Sequence, residues 1–181
     1  MDDIVQQALV KWPNVPACYG WLGLDARANW YLRDDQAQAL GGFNADVPGC
    51  KGSMLTHRKL IDFIGRNYGR DPRGQWFFQN GPQRVYVELA VTPLVWRLQP
   101  DGSVADHMGR PGSVLNTWLD ETGRLYVQCD TGFGLLHSQD MLQAADRVEA
   151  GKWRPQALRL KQMADTFGFV VSPQALQQKE P

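Results

Sequence analysis

The sequence has no surplus of charge and no block of like charges. Nineteen basic residues balance nineteen acidic ones, and the longest basic run is Arg58-Lys59. A nucleic-acid surface needs a basic excess or stripe to displace counterions from phosphates, so no nucleic-acid partner is expected. Charge neutrality at the same time permits self-association into a homo-oligomer. Apolar runs of membrane-spanning length are absent, which argues against a membrane role. Met1 to Val10 is acidic and lacks the positive start and apolar centre of a secretory signal. Cysteine is scarce. Cys18, Cys50 and Cys129 are odd in number and far apart, which fits free thiols in a reducing compartment, and the cytoplasm is the expected location.

Signature chemistry is missing as well. Without CxxC, HxH or HExxH, no metal site is expected, and no motif implies a cofactor. No GKS or GKT follows a glycine loop. Gly132-Phe-Gly134 is only a fragment of a dinucleotide fingerprint, better explained by relief of a turn. Ser53, Ser103 and Ser113 each follow glycine, but no GxSxG surrounds them.

What the chain does have is aromatic and apolar material: seven Trp, seven Phe and five Tyr in 43% apolar residues. That is enough for a sizeable core and typical of a globular protein. The densest patterning runs from Gly52 to Leu89. It reads as a helix beginning near Ser53 or Thr56, with Leu60, Ile61 and Ile64 at helical spacing, closed by Gly69 and Asp71-Pro72. A hairpin follows, Gln75–Gln79 and Arg84–Leu89 around Asn80-Gly81, with Pro82 and Gln83 lengthening its loop.

Before this stretch, residues 2–11 read as a short helix. Tyr19–Leu24 and Trp30–Arg33 read as strands around Asp25–Asn29, and residues 34–51 as a loop. After it, Leu94–Leu98 is a strand and residues 104–113 are loop, with His107 solvated. Val114–Leu119 and Leu125–Cys129 form a hairpin. A helix capped by Ser138 runs to about Val148, and a last helix starts at Pro155 with Gly168 as its C-terminal cap. Phe169–Val171 reads as a short strand, and the polar tail after Pro173 as frayed.

Two internal echoes stand out. Asp25, Asp71 and Asp120 each stand five residues before an apolar pair, with Ala28, Gly74 or Gly123 three residues on. Aspartate accepts main-chain hydrogen bonds at such a turn, and a small residue relieves the positive φ. Gly52-Ser-Met-Leu-Thr-His57 also echoes Gly132-Phe-Gly-Leu-Leu-His137. Together they suggest duplication of a hairpin–helix unit at about 25–64 and 120–148. The expected fold is α+β, with antiparallel hairpins packed with helices. The expected units are 1–103 and 104–181, able to share one core.

The layout Ala28-x-Trp30-Tyr31, Gly52-Ser53, His57, Leu60, Phe63-Ile64, then Asp71-x-x-Gly74-x-Trp76-Phe77-Phe78 and Val85–Leu89 resembles uncharacterised proteobacterial domain-of-unknown-function families. The resemblance covers roughly residues 19 to 148. It implies an α+β fold with repeated strand–helix motifs and a link to ligand sensing or signal transduction. It supplies no functional residues.

The candidate site is therefore built from residue chemistry. Trp30 and Trp76 lie on strands that share a sheet, and alternation makes both of its faces aromatic. Such a sheet is either buried on two sides or open to a ligand or partner. If open, Arg33, Arg70, Arg73 and Arg84 suit an anion. His57 and His137, at the starts of two helices, are ligand-orienting or acid–base candidates, or else helix-entry residues that donate to a carbonyl. Trp30, His57, Arg73, Trp76, Arg84 and His137 thus mark an aromatic and arginine-lined cleft for a small anionic or aromatic ligand. The reading is a non-enzymatic binding or regulatory module. A protein-interaction or assembly domain is the first alternative, and an enzyme using His57 or His137 the second.

Overall fold

The computed structural model describes residues 1–179. It is an α+β fold whose contacts divide into two units. Residues 1–25, 29–90 and the described residues from Phe169 onward form the first. Residues 26–28 and 91–168 form the second.

The first unit opens with helix α1 (Asp3–Lys11), whose Val5 is buried. Strands β1 (Cys18–Leu24) and β2 (Trp30–Leu32) form a hairpin, followed by a short helix α2 (Asp35–Ala39) inside the stretch read as loop. Asp34 makes that helix possible by accepting the Ala37 N–H at 2.8 Å. Then come β3 (Ser53–Met54), α3 (Arg58–Arg66), β4 (Tyr68–Arg70), β5 (Trp76–Asn80) and β6 (Gln83–Leu89). The central helix thus stops at Asn67, and the residues around Gly69 are strand. The β5–β6 loop is two residues, Gly81 and Pro82, because Asn80 already pairs with Gln83. Gly81 takes φ 56, the left-handed conformation that a first central turn position gives to glycine.

The second unit holds β7 (Leu94–Leu98), β8 (Val104–Asp106), β9 (Pro111–Gly112), β10 (Val114–Asp120), β11 (Leu125–Cys129) and β12 (Gly132–Leu136). A 3₁₀ turn (Ser138–Asp140) leads into α4 (Met141–Glu149), and β13 (Gln156–Leu158) precedes α5 (Leu160–Phe167). Residues 104–113 are therefore two short strands. The last helix of this unit starts at Leu160, with Gln156–Leu158 paired in parallel to β10. Gly168 caps α5 in the left-handed conformation at φ 64. The chain then returns to the first unit. Val170 N–H donates to Gly74 O and Leu89 N–H to Val171 O, without a regular strand. The tail is ordered as helix α6 (Pro173–Gln177), capped by Ser172. Of the tail expected to fray, residues 180 and 181 lie outside the described chain.

Both sheets use one strand order. The first reads β3-β2-β1-β6-β5-β4 and the second β9-β8-β7-β12-β11-β10, with β13 added beyond β10. Each joins two antiparallel three-stranded meanders through a parallel central pair. Leu22 and Leu24 face Val87 and Leu89 in one, and Leu94 and Trp96 face Gly134 and Leu136 in the other. The recurrence spans 18–89 and 94–136, more than the 25–64 and 120–148 pairing suggested by turn spacing. These central strands are the cores: Leu24, Val87, Leu89, Leu94, Trp96, Tyr126 and Val127 are fully buried. Each aliphatic side chain so buried contributes about 1.5–3 kcal/mol.

Aspartate turns set the hairpin geometry. Asp71 Oδ1 accepts the N–H groups of Arg73 and Gln75, both at 2.9 Å, and Oδ2 accepts the Tyr86 hydroxyl at 3.0 Å. Asp120 does the same with Thr122, Arg124 and the Tyr126 hydroxyl at 2.8, 3.0 and 2.7 Å. Asp25 accepts from Asn29 N–H and the Tyr31 hydroxyl. A fourth copy, Asp106, holds Met108 and Arg110 N–H and pairs with the Arg110 guanidinium at 2.7 Å. The fourth residue of each turn has positive φ: Ala28 at 63, Gly74 at 79, Gly109 at 81 and Gly123 at 81.

Candidate functional site: an apolar cleft on the first sheet

The face of the first sheet that carries Leu22, Leu32, Phe78 and Val85 is covered by α3. Strand register puts Leu22 beside Leu32, and Val85 beside both Phe78 and Cys18. α3 forms here because His57 caps it, its Nδ1 accepting the Leu60 N–H at 3.2 Å. Asn67 ends it, donating from its side chain to Phe63 O at 3.0 Å and accepting Asp2 N–H at 2.8 Å. Phe63 meets Phe78 edge-on at 5.5 Å, and Ile64 is fully buried.

Beside this seam lies a cleft of about 270 Å³. Leu22, Leu60, Ile64, Phe78 and Val85 line its apolar part, and Trp21 and Leu32 stand at 44% and 46% exposure along it. Cys18, Asn80 and Gln83 supply its polar atoms. Such a surface chemically fits an uncharged, largely apolar molecule with a hydrogen-bonding end.

The residues singled out from the sequence fall in several places. Trp30 and Trp76 come together around Tyr68, at 5.2 and 4.9 Å, and both are buried core that does not line the cleft. Arg84 belongs to the opposite face, stacked over Phe77 at 4.0 Å with Nη1 3.5 Å from the Tyr86 hydroxyl. Arg73 is exposed in the Asp71 turn. His57 is exposed at the start of α3. His137 is buried in the second unit and caps the 3₁₀ turn, its Nδ1 accepting Gln139 N–H at 3.2 Å. Both histidines therefore accept main-chain N–H groups at Nδ1. Their places in the two ladders differ, since His57 follows β3 and His137 follows β12. His137, and not Ser138, is the cap of that second helical segment. The nearby Asp140 carboxylate is taken by Arg97, at 2.7 and 3.1 Å, and by Leu98 N–H. Burial alone would raise its pKa, but Arg97 and the Leu98 N–H hold it below the usual carboxylate range.

Two further groups depart from their sequence reading. Arg33 is no surface anion holder: it is fully buried and donates to the carbonyls of Cys50, Gly20, Ala37 and Gly41. His107 is half-buried, and its Nδ1 accepts Val95 N–H at 3.3 Å. Burial lowers its pKa to about 4. Burial likewise pushes the Cys129 thiol up to about 12, which makes it a poor nucleophile.

Of the cleft residues, the sequence marks Phe78 as part of its aromatic face but not Cys18, Trp21, Leu32, Leu60, Asn80, Gln83 or Val85. The usable signal was Trp21, a large aromatic set between Gly20 and Gly23 on a strand. Among the described residues no group of three or more His, Cys, Asp or Glu is placed to hold a metal ion. Nor is any described helix long and apolar enough to cross a membrane.

No curated protein matches the chain. Two solved structures resemble it. One is a DUF1285 family protein from Silicibacter pomeroyi DSS-3, 11% identical, with a TM-score of 0.48 over 81% of this chain and 84% of that one. The other is a DUF1285 family protein from Shewanella baltica OS155, 14% identical, with a TM-score of 0.45 over 70% and 91%. The model of the family described as "Protein of unknown function (DUF2946)" matches residues 1–179, and the chain belongs to that family.

Proposed function

We propose that this protein is a non-enzymatic binding or regulatory module whose first unit takes up a small, uncharged apolar or aromatic molecule. The supporting observation is the cleft, where Trp21 and Leu32 keep nearly half their surface in water beside an apolar recess. Leaving large apolar groups open in this way forfeits burial energy, and a ligand would restore it. At about 270 Å³ the recess sits near the small end of ligand sites, which run from roughly 300 Å³, so one or two rings fit. Of the two ligand classes the sequence suggests, the aromatic one suits this lining. Arg84 stands on the other face of the sheet, and Arg73 lies in a turn.

A thermal-shift screen of uncharged aromatic compounds tests the reading, run on the wild type and on Leu60→Trp, which fills the cleft. A ligand at one hundred times its dissociation constant stabilises the native state by about 2.7 kcal/mol. The midpoint should rise in the wild type and stay fixed in Leu60→Trp. Equal shifts in both proteins would move the site elsewhere.

One observation favours a second reading, a protein-interaction or assembly domain. Leu32 at 46% and Trp21 at 44% exposure lie on β2 and β1, one and two strands in from the edge strand β3, where a second copy could cover both. Light scattering across a hundredfold range of concentration separates the two: a concentration-dependent dimer that Trp21→Ser abolishes would support assembly.

A further inference from the structure

The described residues from Phe169 to Lys179 follow α5 and lie on the first unit, held by polar contacts and by two buried side chains. Phe169 and Pro173 are its buried residues, and the rest are half-buried or exposed. Under it sits Glu88, 1% exposed, in the middle of the central strand pair. Its carboxylate accepts the Ser172 hydroxyl and the Gln174 N–H, the latter at 2.9 Å. Both donors belong to this segment. The Gln174 side chain adds bonds to Gln38 at 3.0 Å and from Arg33 at 3.4 Å. Arg33 differs from Glu88 in one respect. Its four carbonyl acceptors all come from residues 20–50, so it keeps them whether or not the segment is docked.

A buried carboxylate that loses its two donors among the described residues is costly to leave dry. Glu88 therefore either keeps the segment in place or needs a substitute for it. Gln174 bonds both groups, through its N–H to Glu88 and its side-chain oxygen to Arg33, so the uncovered recess holds one carboxyl beside one guanidinium and is close to neutral overall. A neutral recess with an accepting carboxylate selects hydroxyl and amide donors over cations.

We propose that residues 169–179 form a releasable strap, a tethered occupant of the Glu88 recess, which opens without unfolding the first sheet. When open, the recess accepts another chain segment with the same chemistry: a hydroxyl, then a main-chain N–H two residues later. The strap and the apolar cleft are separate features, so this inference does not depend on a ligand in the cleft.

Residue-resolved hydrogen exchange on the full-length protein tests it. The Gln174 amide bonds to Glu88, and the Leu89 amide bonds to Val171 of the strap. Both should exchange on the order of a hundredfold faster than the Leu24 and Val87 amides, as expected of a local opening. Ser172→Ala removes one donor without touching the sheet, and it should speed Gln174 and Leu89 by roughly a further tenfold with Leu24 and Val87 unchanged. A synthetic peptide with the sequence of residues 168–179 should then bind full-length Ser172→Ala more tightly than wild type, and Ser-to-Ala in the peptide should weaken it. If all four amides exchange together in both proteins, the segment opens only with the whole unit and the strap is refuted. Strap exchange without peptide binding would refute the second-segment role of the recess.

Discussion

In the first unit residues 33–52 separate β2 from β3, and α3 stands between β3 and β4. In the second unit the matching links are the Asp106 turn and the single residue Ser113. The strand order is the same in both, so the ladder does not depend on what is inserted into it. In the first unit the insertions shape the recesses, whereas the second unit has an open groove of about 620 Å³ along Leu119–Glu121 and Pro155–Arg159 that forms without them. α3 contributes Leu60 and Ile64 to the cleft, and residues 37–50 supply three of the carbonyls that enclose Arg33. The second unit, with its links short, spends its polar groups on closing turns and capping helices. Scaffold and site are thus separable here, and each can be broken on its own.

Removing Arg33 should break the first unit hardest. Arg33→Met deletes the buried guanidinium's bonds to the carbonyls of Cys50, Gly20, Ala37 and Gly41, a loss of about 3–5 kcal/mol. Chemical denaturation measures the loss, and hydrogen exchange should place the loosening in residues 34–52 first.

The next largest effect is one of pH and belongs to the second unit. The folded pKa of His107, about 4, lies below the ordinary value of 6.5. The unfolded chain therefore binds the proton more readily. This stabilisation is complete above pH 6.5 and is lost as pH falls from there toward 4, with a slope of up to about 1.4 kcal/mol per unit and a total of about 2–3 kcal/mol. His107→Asn should flatten that part of the stability curve. An unchanged slope would mean that another group carries it.

The turns allow a direct match between units. Asp71→Ala and Asp120→Ala each delete two main-chain hydrogen bonds, one from a tyrosine hydroxyl and one from a second side chain, Gln75 or Thr122, and each should cost about 2 kcal/mol by denaturant titration. Sharply unequal costs would show that the equivalent turns are not equivalent supports. The smallest effect is a gain: Ala28 holds φ 63 where the other turns have glycine. Ala28→Gly should stabilise by about 0.5–1 kcal/mol, read as a rise in midpoint.

Much of the ladder is legible in the sequence because its signals are local. Asp-x-x-Gly turns, alternation in Val85–Leu89 and Gly168 after Phe167 each act over a few residues. The parallel pairing of β1 with β6 is not legible, since nothing near Leu22 specifies Val87. The short strands β8 and β9 are hidden because Gly109, Pro111 and Gly112 read as loop, although Asp106 repeats the turn chemistry. The C-terminal segment reads as a polar tail because its anchor, Glu88, lies 86 residues from Gln174. The candidate site suffers most. Its lining comes from β1, β2, α3, β5 and β6, and Trp30 and Trp76 look like a binding surface until strand pairing turns them onto Tyr68.

The most direct test of the cleft is a methyl NMR titration of the full-length protein with a small aromatic fragment library. Binding there predicts saturable shifts at Leu32, Leu60 and Val85, with Leu94 and Val127 of the second unit unmoved. Shifts spread evenly over both units, or no shift at Leu60 from any fragment, would contradict it.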